Sequence, residues 1–380
     1  MERNKIAEKA LALHKKLRGK IRIESVMKIK DRADLSLVYT PGVAAVSSLL
    51  AKHPKETRNY TIKNKMVAVI SDGSAVLGLG NIGPYGALPV MEGKCVLFKV
   101  FADVDAFPIV LDTEDPDEIV ETVCRIAPVF GGINLEDISA PKCFEIEDRI
   151  KARLDIPVMH DDQHGTAIVV LAALINGAKV VKKRFQTLRV VISGAGAAGT
   201  AVTKLLLEAG VKDIIVLDSR GIISKSRKDL LPHKRVLAKI TNSRGVRGGL
   251  SDALKDTDVV IGVSGPGLMN ASHVKLMAKN PIVFAMANPT PEIMPEEAKK
   301  GEAAVIGTGR SDYPNQINNS LVFPGVFRGA LDNGVKKITD EMKLKAAKNL
   351  AALVKHPTAK KIIPGPFDKG VAQSVAKAIR

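Results

Sequence analysis

The chain has 380 residues, of which 57 are Lys or Arg and 40 are Asp or Glu, so its formal net charge is +17. With 46% hydrophobic and 26% charged residues, the composition is that of a globular protein and excludes a disordered or collagen-like chain. At about 150 residues per domain, this length predicts two or three domains.

Neither membrane insertion nor secretion is expected. The longest uninterrupted apolar stretch, residues 167–175, has nine residues, whereas a membrane-spanning helix needs about 20. The N-terminus is charged from its second residue and lacks the apolar core of a signal peptide. Cys95, Cys124 and Cys143 are widely spaced, which favours free thiols over a disulfide framework. We therefore expect a cytoplasmic protein with no membrane partner.

The positive charge does not by itself indicate nucleic-acid binding. It is densest over residues 220–247, which hold nine Lys or Arg and one acid. Aromatic residues make up only 4% of the chain and do not alternate with these basic residues, as base stacking would require. A lysine-rich surface that attracts small anions explains the charge better, and a nucleic-acid-binding module is the less favoured alternative.

In chain order, helix and strand patterns alternate around several loops. Apolar spacing predicts an opening helix over residues 5–17 and, after a loop that contains Tyr39, a strand over residues 65–70. The other predictions before residue 180 are strands over 96–102, 107–111 and 157–160 and helices over 117–126 and 166–176.

From residue 189 onward the alternation of strands and helices is regular, which is typical of a parallel sheet. Near the C-terminus, Thr339 is the predicted N-cap of a helix. We therefore predict an α/β fold with two domains. Residues 1–158 would form an N-terminal α/β domain, and residues 159–380 a Rossmann-type domain with a doubly wound parallel sheet and C-terminal helices.

The motif GxGxxG occurs twice, and its surroundings distinguish the two copies. It indicates dinucleotide binding when it joins a strand to a helix and an acid follows about 20 residues later. The second copy lies between a predicted strand (residues 189–193) and a predicted helix (residues 200–209), with Asp218 nineteen residues after its last glycine. We therefore predict that a dinucleotide pyrophosphate binds over Gly194, Ala195, Gly196, Ala197, Ala198 and Gly199.

The first copy, residues 78–83, has an acid at a suitable distance but no predicted helix. Pro84, Gly86, Pro89 and Gly93 fall where that helix would run, and residues of these types disfavour a helix interior. We therefore expect this segment to be a glycine-rich loop that lines a cleft.

The residues after the second strand of the Rossmann unit leave the choice of cofactor open. Asp218 predicts hydrogen bonds to the adenosine ribose, which favours NAD because a carboxylate repels a 2′-phosphate. Ser219, Arg220 and the basic residues that follow favour NADP. Both cofactors are therefore retained.

Two pairs of adjacent acids lie in apolar surroundings, Glu136-Asp137 and Asp161-Asp162. Neighbouring side chains at a strand end point in opposite directions, so each pair can aim one carboxylate inward. Carboxylate oxygens suit Mg²⁺ or Mn²⁺, whereas the histidines on either side of the second pair, without a cysteine cluster nearby, fit supporting roles better than zinc binding. Solvated turn acids or helix caps are the open alternative.

Together with these features, several motifs resemble those of the malic enzymes, in particular the short prokaryotic form, over nearly the whole chain. The matching segments are residues 37–42 (tyrosine motif), 71–94 (lysine motif), 134–137 and 160–166 (metal segments), and 287–290 and 315–325 (substrate asparagines). One difference lies in the lysine motif, where long-form members carry an arginine after Asp-Gly and this chain has Ser74.

The resemblance implies an enzyme that converts L-malate to pyruvate and CO₂ with NAD or NADP and Mg²⁺ or Mn²⁺, as a homodimer or higher homo-oligomer. It also implies that the N-terminal domain is the catalytic malic-enzyme domain. The implied residues are Glu136, Asp137 and Asp162 for the metal, Lys94, Asn288, Asn318 and Asn319 for the substrate, Lys94 as general base beside Asp161, and Tyr39 as general acid.

The residue types suit this chemistry. A lysine that is partly desolvated beside a metal can have its pKa lowered enough to act as a base. A tyrosine hydroxyl can protonate C3 of the enol that remains after CO₂ departs. The alternative is an NAD(P)-dependent dehydrogenase of hydroxy acids or amino acids that does not decarboxylate, and the paired acids favour decarboxylation over it.

Overall fold

Two parallel sheets organise the part of the chain that the computed structural model describes, residues 2–76 and 78–380. The first sheet has the order β2-β1-β3-β4, and all its strand pairs are parallel. The second has the order β10-β9-β8-β5-β6-β7, in which only β7 is antiparallel to its neighbour. The strands are β1 (Met66–Ser71), β2 (Asp105–Val110), β3 (Gly132–Leu135), β4 (Val158–His160), β5 (Arg189–Ser193), β6 (Asp213–Asp218), β7 (Gly221–Ile222), β8 (Val259–Gly262), β9 (Ile282–Ala285) and β10 (Val305–Thr308).

Helices cover both sheets and connect their strands. The central strands are runs of Val and Ile that are fully buried, as expected for parallel strands covered on both faces. The helices are α1 (Glu2–Leu17), α2 (Arg32–Val38), α3 (Val43–Lys52), α4 (Thr57–Tyr60), α5 (Gly83–Ala102), α6 (Pro116–Ile126), α7 (Lys142–Arg153), α8 (Asp161–Val180), α9 (Ala197–Glu208), α10 (Pro232–Ile240), α11 (Leu250–Leu254), α12 (Ala271–Lys275), α13 (Pro295–Lys300), α14 (Phe323–Asp332), α15 (Asp340–Ala352) and α16 (Val371–Ala376).

One large apolar core joins the two sheets. It extends from Val67 in β1 to Ile379 near the C-terminus. Within it, the ring of Phe98 on α5 packs edge-to-face on Phe323 and Phe327 of α14, with centroid distances of 4.7 and 5.5 Å. The α/β architecture with a Rossmann-type sheet is confirmed. The division at residues 158 and 159 stays a prediction, because β4 continues to His160 and the core does not separate there.

Most predicted elements are confirmed, including the helix that Thr339 caps, but α5 contradicts two predictions. Residues 96–102 form its last turns instead of a strand, and the breaker-rich segment after residue 83 is helical. Pro84 lies in the first turn, where no backbone N–H is needed. A Cβ at Gly86 would come within 2.9 Å of the Ile82 side chain. Burial of one face of α5 in the core therefore outweighs the low helix propensity of this segment.

The N-terminal helices α1, α2 and α3 leave many apolar side chains exposed. By length and composition alone, the stretch Arg32–Lys52 could cross a membrane, and none of it is buried. In the structure this stretch consists of α2 with 7 residues and α3 with 10, joined by a turn at residues 39–42. Each helix is shorter than the about 20 residues that a membrane span needs. The absence of a membrane partner stays a prediction.

Candidate active site

A lysine on helix α5 lies among the predicted acids. The Nζ of Lys94 is 2.5 Å from Oδ2 of Asp161 and 2.9 Å from Oε1 of Glu136, and it lies 4.4 Å from the centre of the Phe323 ring. The lysine side chain is only 11% exposed. Lys94 is therefore held at one position by two carboxylates in a nearly dry site.

Sheet topology brings the two acid pairs together. Glu136 and Asp137 follow β3, and Asp161 and Asp162 begin α8 directly after β4. Because β3 and β4 are parallel neighbours, their carboxyl ends meet at the same edge of the sheet. The backbone N–H of Asp137 donates to Oδ2 of Asp162 at 2.8 Å, which connects the two segments.

Three of the acids form a compact set of oxygen donors. One carboxylate oxygen each from Glu136, Asp137 and Asp162 lies within 4.8 Å of the other two. Burial raises the pKa of Glu136 well above its usual range, and the nearby charges of Asp162 and Asp161 add to this rise although Lys94 opposes it. A site of this kind, with oxygen donors only and surplus negative charge, fits Mg²⁺ or Mn²⁺.

Burial and the surrounding carboxylates have opposite effects on the charge of Lys94. Burial lowers the pKa of Lys94, but the charges of Asp161, Glu136 and Asp162 outweigh burial and raise it above the usual value for lysine. For Asp161, burial has the opposite effect: it raises the pKa of this carboxyl group, although the charge of Lys94 opposes the rise. The carboxylates therefore stabilise the ammonium form of Lys94, and the expectation that Lys94 has a lowered pKa beside a bound metal stays a prediction.

A cleft runs from the second GxGxxG segment to Asp162. One cavity of about 620 Å³ is lined by Gly194, Ala195, Gly196, Asp218 and Ser219 among others. A second cavity, of about 350 Å³, is lined by Ala197, Ala198 and Asp162 and by all three predicted substrate asparagines, Asn288, Asn318 and Asn319. The two cavities share Ala140, Gly196 and Ser264, so they form one continuous cleft.

Close backbone contacts require glycine at two positions of the second GxGxxG segment. A Cβ on Gly194, which has φ +121°, would lie 2.6 Å from the carbonyl oxygen of Val263. A Cβ on Gly199 would lie 1.8 Å from the carbonyl oxygen of Gly194. These contacts allow α9 to begin directly above the loop, where its N-terminal N–H groups can bind a pyrophosphate.

Two basic residues that the sequence did not single out surround Asp218. Its carboxylate accepts hydrogen bonds from Arg227 at 2.7 Å and from Lys234 at 2.8 Å, and it also accepts the backbone N–H of Arg220 at 3.0 Å. Lys234 lines the larger cavity. The guanidinium of Arg220 is 72% exposed and pairs with Asp229 instead. No sequence pattern marks Lys234, because it lies on α10, sixteen residues after Asp218.

The structure does not bring Tyr39 to the other candidate residues. Tyr39 ends helix α2, and its side chain is 66% exposed. It lines neither cavity of the cleft. Its role as general acid therefore stays a prediction, and within one chain the described site lacks this tyrosine.

Two family models match the chain. The model of the malic enzyme N-terminal domain matches residues 18–151, and the model of the malic enzyme NAD-binding domain matches residues 163–379. The chain is 54% identical over 376 residues to the NAD-dependent malic enzyme of Geobacillus stearothermophilus, covering 98% of this chain and 78% of that protein.

Other relatives carry names that differ in cofactor or reaction. The bifunctional malic/malolactic enzyme of Bacillus subtilis is 53% identical, with 98% of this chain and 92% of that protein covered. The NADP-dependent malic enzyme of Halomonas elongata is 44% identical, with coverage of 97% and 92%. Among solved structures, the NAD-dependent malic enzyme of Thermotoga maritima has a TM-score of 0.95 and 48% identity, with 97% of this chain and 98% of that chain covered.

Proposed function

Because the chain belongs to the malic enzyme family of NAD(P)-dependent oxidoreductases, we propose that it oxidises and decarboxylates L-malate to pyruvate and CO₂. The observation that carries the proposal is the position of Lys94 between two carboxylates and beside a three-carboxylate donor set, one member of which, Asp162, lines the cleft that begins at the glycine-rich loop. This arrangement supports the proposal that a base and a metal site lie close to the bound cofactor.

The residues of the cleft suit a dicarboxylate. A divalent cation held by Glu136, Asp137 and Asp162 would stabilise the negative charge that develops on the C2 oxygen of malate. Asn288, Asn318 and Asn319 are the proposed amide donors to the malate carboxylates. Ser74, at the position where long-form members carry an arginine, instead donates to Asp72 at 2.6 Å, so carboxylate binding must be arranged differently here.

Lys94 is the proposed acceptor of the proton of the C2 hydroxyl group while the hydride leaves C2 for the nicotinamide ring. Since the carboxylates hold Lys94 as an ammonium group, it must lose a proton before it can act. Asp161, in contact at 2.5 Å, is the proposed positioning partner of Lys94, and a cation held by the neighbouring acids would favour the loss of that proton. Loss of the C4 carboxylate as CO₂ then leaves an enol that needs a proton at C3.

Tyr39 is the proposed donor of that last proton. Because it is exposed and lines neither cavity of the cleft, we propose that it acts on a second copy of the chain. The exposed apolar side chains next to it include Leu35 and Leu37 on α2 and Val43 at the start of α3. Burial of these side chains against a second copy would remove apolar surface from water and stabilise a homodimer. We therefore propose a homodimer in which each site takes Tyr39 from the partner.

The proposed reaction is tested by NAD(P)H formation from L-malate in the presence of Mn²⁺, with and without EDTA. We expect NAD(P)H formation to stop when EDTA is present in excess and to return when Mn²⁺ is added back. Activity that does not change on chelation would contradict the metal assignment and favour a metal-free dehydrogenase.

The free thiols of all three cysteines agree with a reducing cytoplasm, which stays the predicted location.

Replacing Asp162 with Ala should raise the Mn²⁺ concentration needed for half-maximal activity by at least about tenfold, because one of three donors is lost. The measurement is a Mn²⁺ titration of the initial rate. Asp148→Ala removes an exposed acid of the neighbouring helix α7 and serves as the matched control. An unchanged titration for Asp162→Ala would exclude this residue as a ligand.

Replacing Lys234 with Ala should lower kcat/KM for NADP⁺ by about tenfold or more and change the NAD⁺ value by less than about threefold. Arg227 and Lys234 pair with Asp218 and neutralise its charge, so this carboxylate should not repel the 2′-phosphate of NADP⁺. Lys234 also lines the cavity, where its ammonium group can bind that phosphate. Arg220→Ala is measured beside it. A selective loss of NADP⁺ activity in Arg220→Ala, with none in Lys234→Ala, would assign the 2′-phosphate to Arg220.

A further inference from the structure

A buried carboxylate outside the cleft contacts the segment that carries two of the site acids. Glu147 lies on α7 and is 4% exposed. Both of its carboxylate oxygens point toward the junction of β4 and α8, residues 160–164. Neither the metal-binding set nor the pairing of Lys94 includes this residue.

Three of its four partners belong to that junction. Oε1 accepts the backbone N–H of His160 at 2.9 Å, and Oε2 accepts the side-chain amide of Gln163 at 3.2 Å. The Nε2 atom of His164 lies 3.0 Å from the carboxylate. The fourth partner is Lys151, one turn farther along α7, at 2.7 Å. A single side chain therefore holds a backbone atom and two side chains of one five-residue segment.

The surroundings of Glu147 favour its charged form. Burial alone would raise the pKa of Glu147, but the charge and hydrogen bond of His164 and the charge of Lys151 outweigh burial and hold the pKa well below its usual range. An ionised carboxylate accepts hydrogen bonds at both oxygens and donates none. The N–H donors of His160, Gln163 and Lys151 around Glu147 fit an ionised carboxylate.

The position of the junction determines where two site residues lie. Asp161 and Asp162 immediately follow the backbone N–H that Glu147 holds, and Asp161 is fully buried against Lys94. A shift of the first turn of α8 would move the carboxylate of Asp162 away from Glu136 and Asp137. Outer residues that orient metal-binding groups typically contribute about 10- to 100-fold to metal affinity.

We infer that Glu147 is a positioning residue, which holds the start of α8 so that Asp162 faces the metal and Asp161 faces Lys94. The inference rests on the proposed function, since it assumes that Asp162 binds a metal. Sequence patterns gave no sign of it, because a single acid on an amphipathic helix does not differ from its neighbours Glu145 and Asp148 before its burial is known.

The test measures Mn²⁺ binding by the metal-free protein, with free Mn²⁺ followed by electron paramagnetic resonance, in Glu147→Gln. Gln replaces one carboxylate oxygen with an NH₂ group, which cannot accept the hydrogen bonds of the donors at the junction. The junction should then shift, and we expect the Kd for Mn²⁺ to rise by about tenfold or more. The Kd for NAD⁺ should change by less than about threefold. Glu145→Gln, an exposed acid two positions earlier on the same helix, is the matched control and should leave both constants unchanged.

Glu147→Asp provides a second test if Glu147→Gln does not fold. It keeps the charge but shortens the side chain by one methylene, so the junction should still shift and the Kd for Mn²⁺ should still rise by about tenfold. A folded Glu147 variant with a lower melting temperature but unchanged Mn²⁺ affinity would show a merely structural role and overturn the inference. A wild-type protein that binds Mn²⁺ but does not oxidise malate would instead contradict the proposed function.

Discussion

Lys94→Ala is expected to lower kcat for malate oxidation by about 10³- to 10⁴-fold, whereas the Kd for NAD⁺ should change by only a few-fold. The side chain of Lys94 is the proposed base, and the glycine-rich loop that binds the dinucleotide lies on other elements. The substitution also leaves Asp161 and Glu136 without the ammonium group between them. The measurement is a steady-state rate with malate, Mn²⁺ and NAD(P)⁺, together with calorimetric titration of the cofactor.

Lys99→Ala is the matched control for this substitution. Lys99 lies on the same helix, is about half exposed and pairs with Asp103 and Asp105 away from the cleft. We expect its kcat to stay within about twofold of the wild type, as is usual for an exposed ion pair outside the site. A near-normal kcat for Lys94→Ala would refute the role of Lys94 as base.

The second large effect is a recovery of activity in mixed dimers. Tyr39→Phe removes the proposed acid and should lower kcat by about 10²-fold or more. If each site takes Tyr39 from the partner, a dimer of one Tyr39→Phe chain and one Lys94→Ala chain has one site with both lesions and one site with neither. Such a dimer should show about half the wild-type activity.

Two affinity tags allow these mixed dimers to be isolated. The two variants are co-expressed, each with its own tag, and dimers that carry both tags are purified and assayed. Each variant paired with a differently tagged copy of itself is the control and should stay nearly inactive. If mixed dimers are as inactive as these controls, Tyr39 and Lys94 act within one chain, and the proposed shared site is wrong.

The sequence predicts those parts of the site that depend on local pattern. The strand, glycine-rich turn and helix around Gly194 are confirmed, because each element has its own periodicity and turn residues. The acid pairs are found at two neighbouring strand ends, where parallel pairing brings them together. In both cases a short stretch of chain contains the signal.

The remaining features depend on contacts between distant segments. Helix α5 was not predicted, because its stability comes from burial of residues such as Met91 and Phe98 and not from helix propensity. The partners of Asp218 and of Glu147 lie on other elements, so their roles are visible only in three dimensions. Burial by itself lowers the pKa of Lys94. The pKa is raised because the fold gathers carboxylates from distant segments around this lysine.

The central claim is that malate oxidation and decarboxylation occur together at this site, and malate labelled with ¹³C at C4 tests it most directly. Initial rates of NAD(P)H, pyruvate and ¹³CO₂ formation are measured in the same reaction with Mn²⁺. We predict that the three products appear in equal amounts, that the pyruvate carries no label, and that EDTA stops all three. Formation of NAD(P)H with labelled oxaloacetate as the released product, and with no matching ¹³CO₂, would contradict the claim and identify a dehydrogenase that does not decarboxylate.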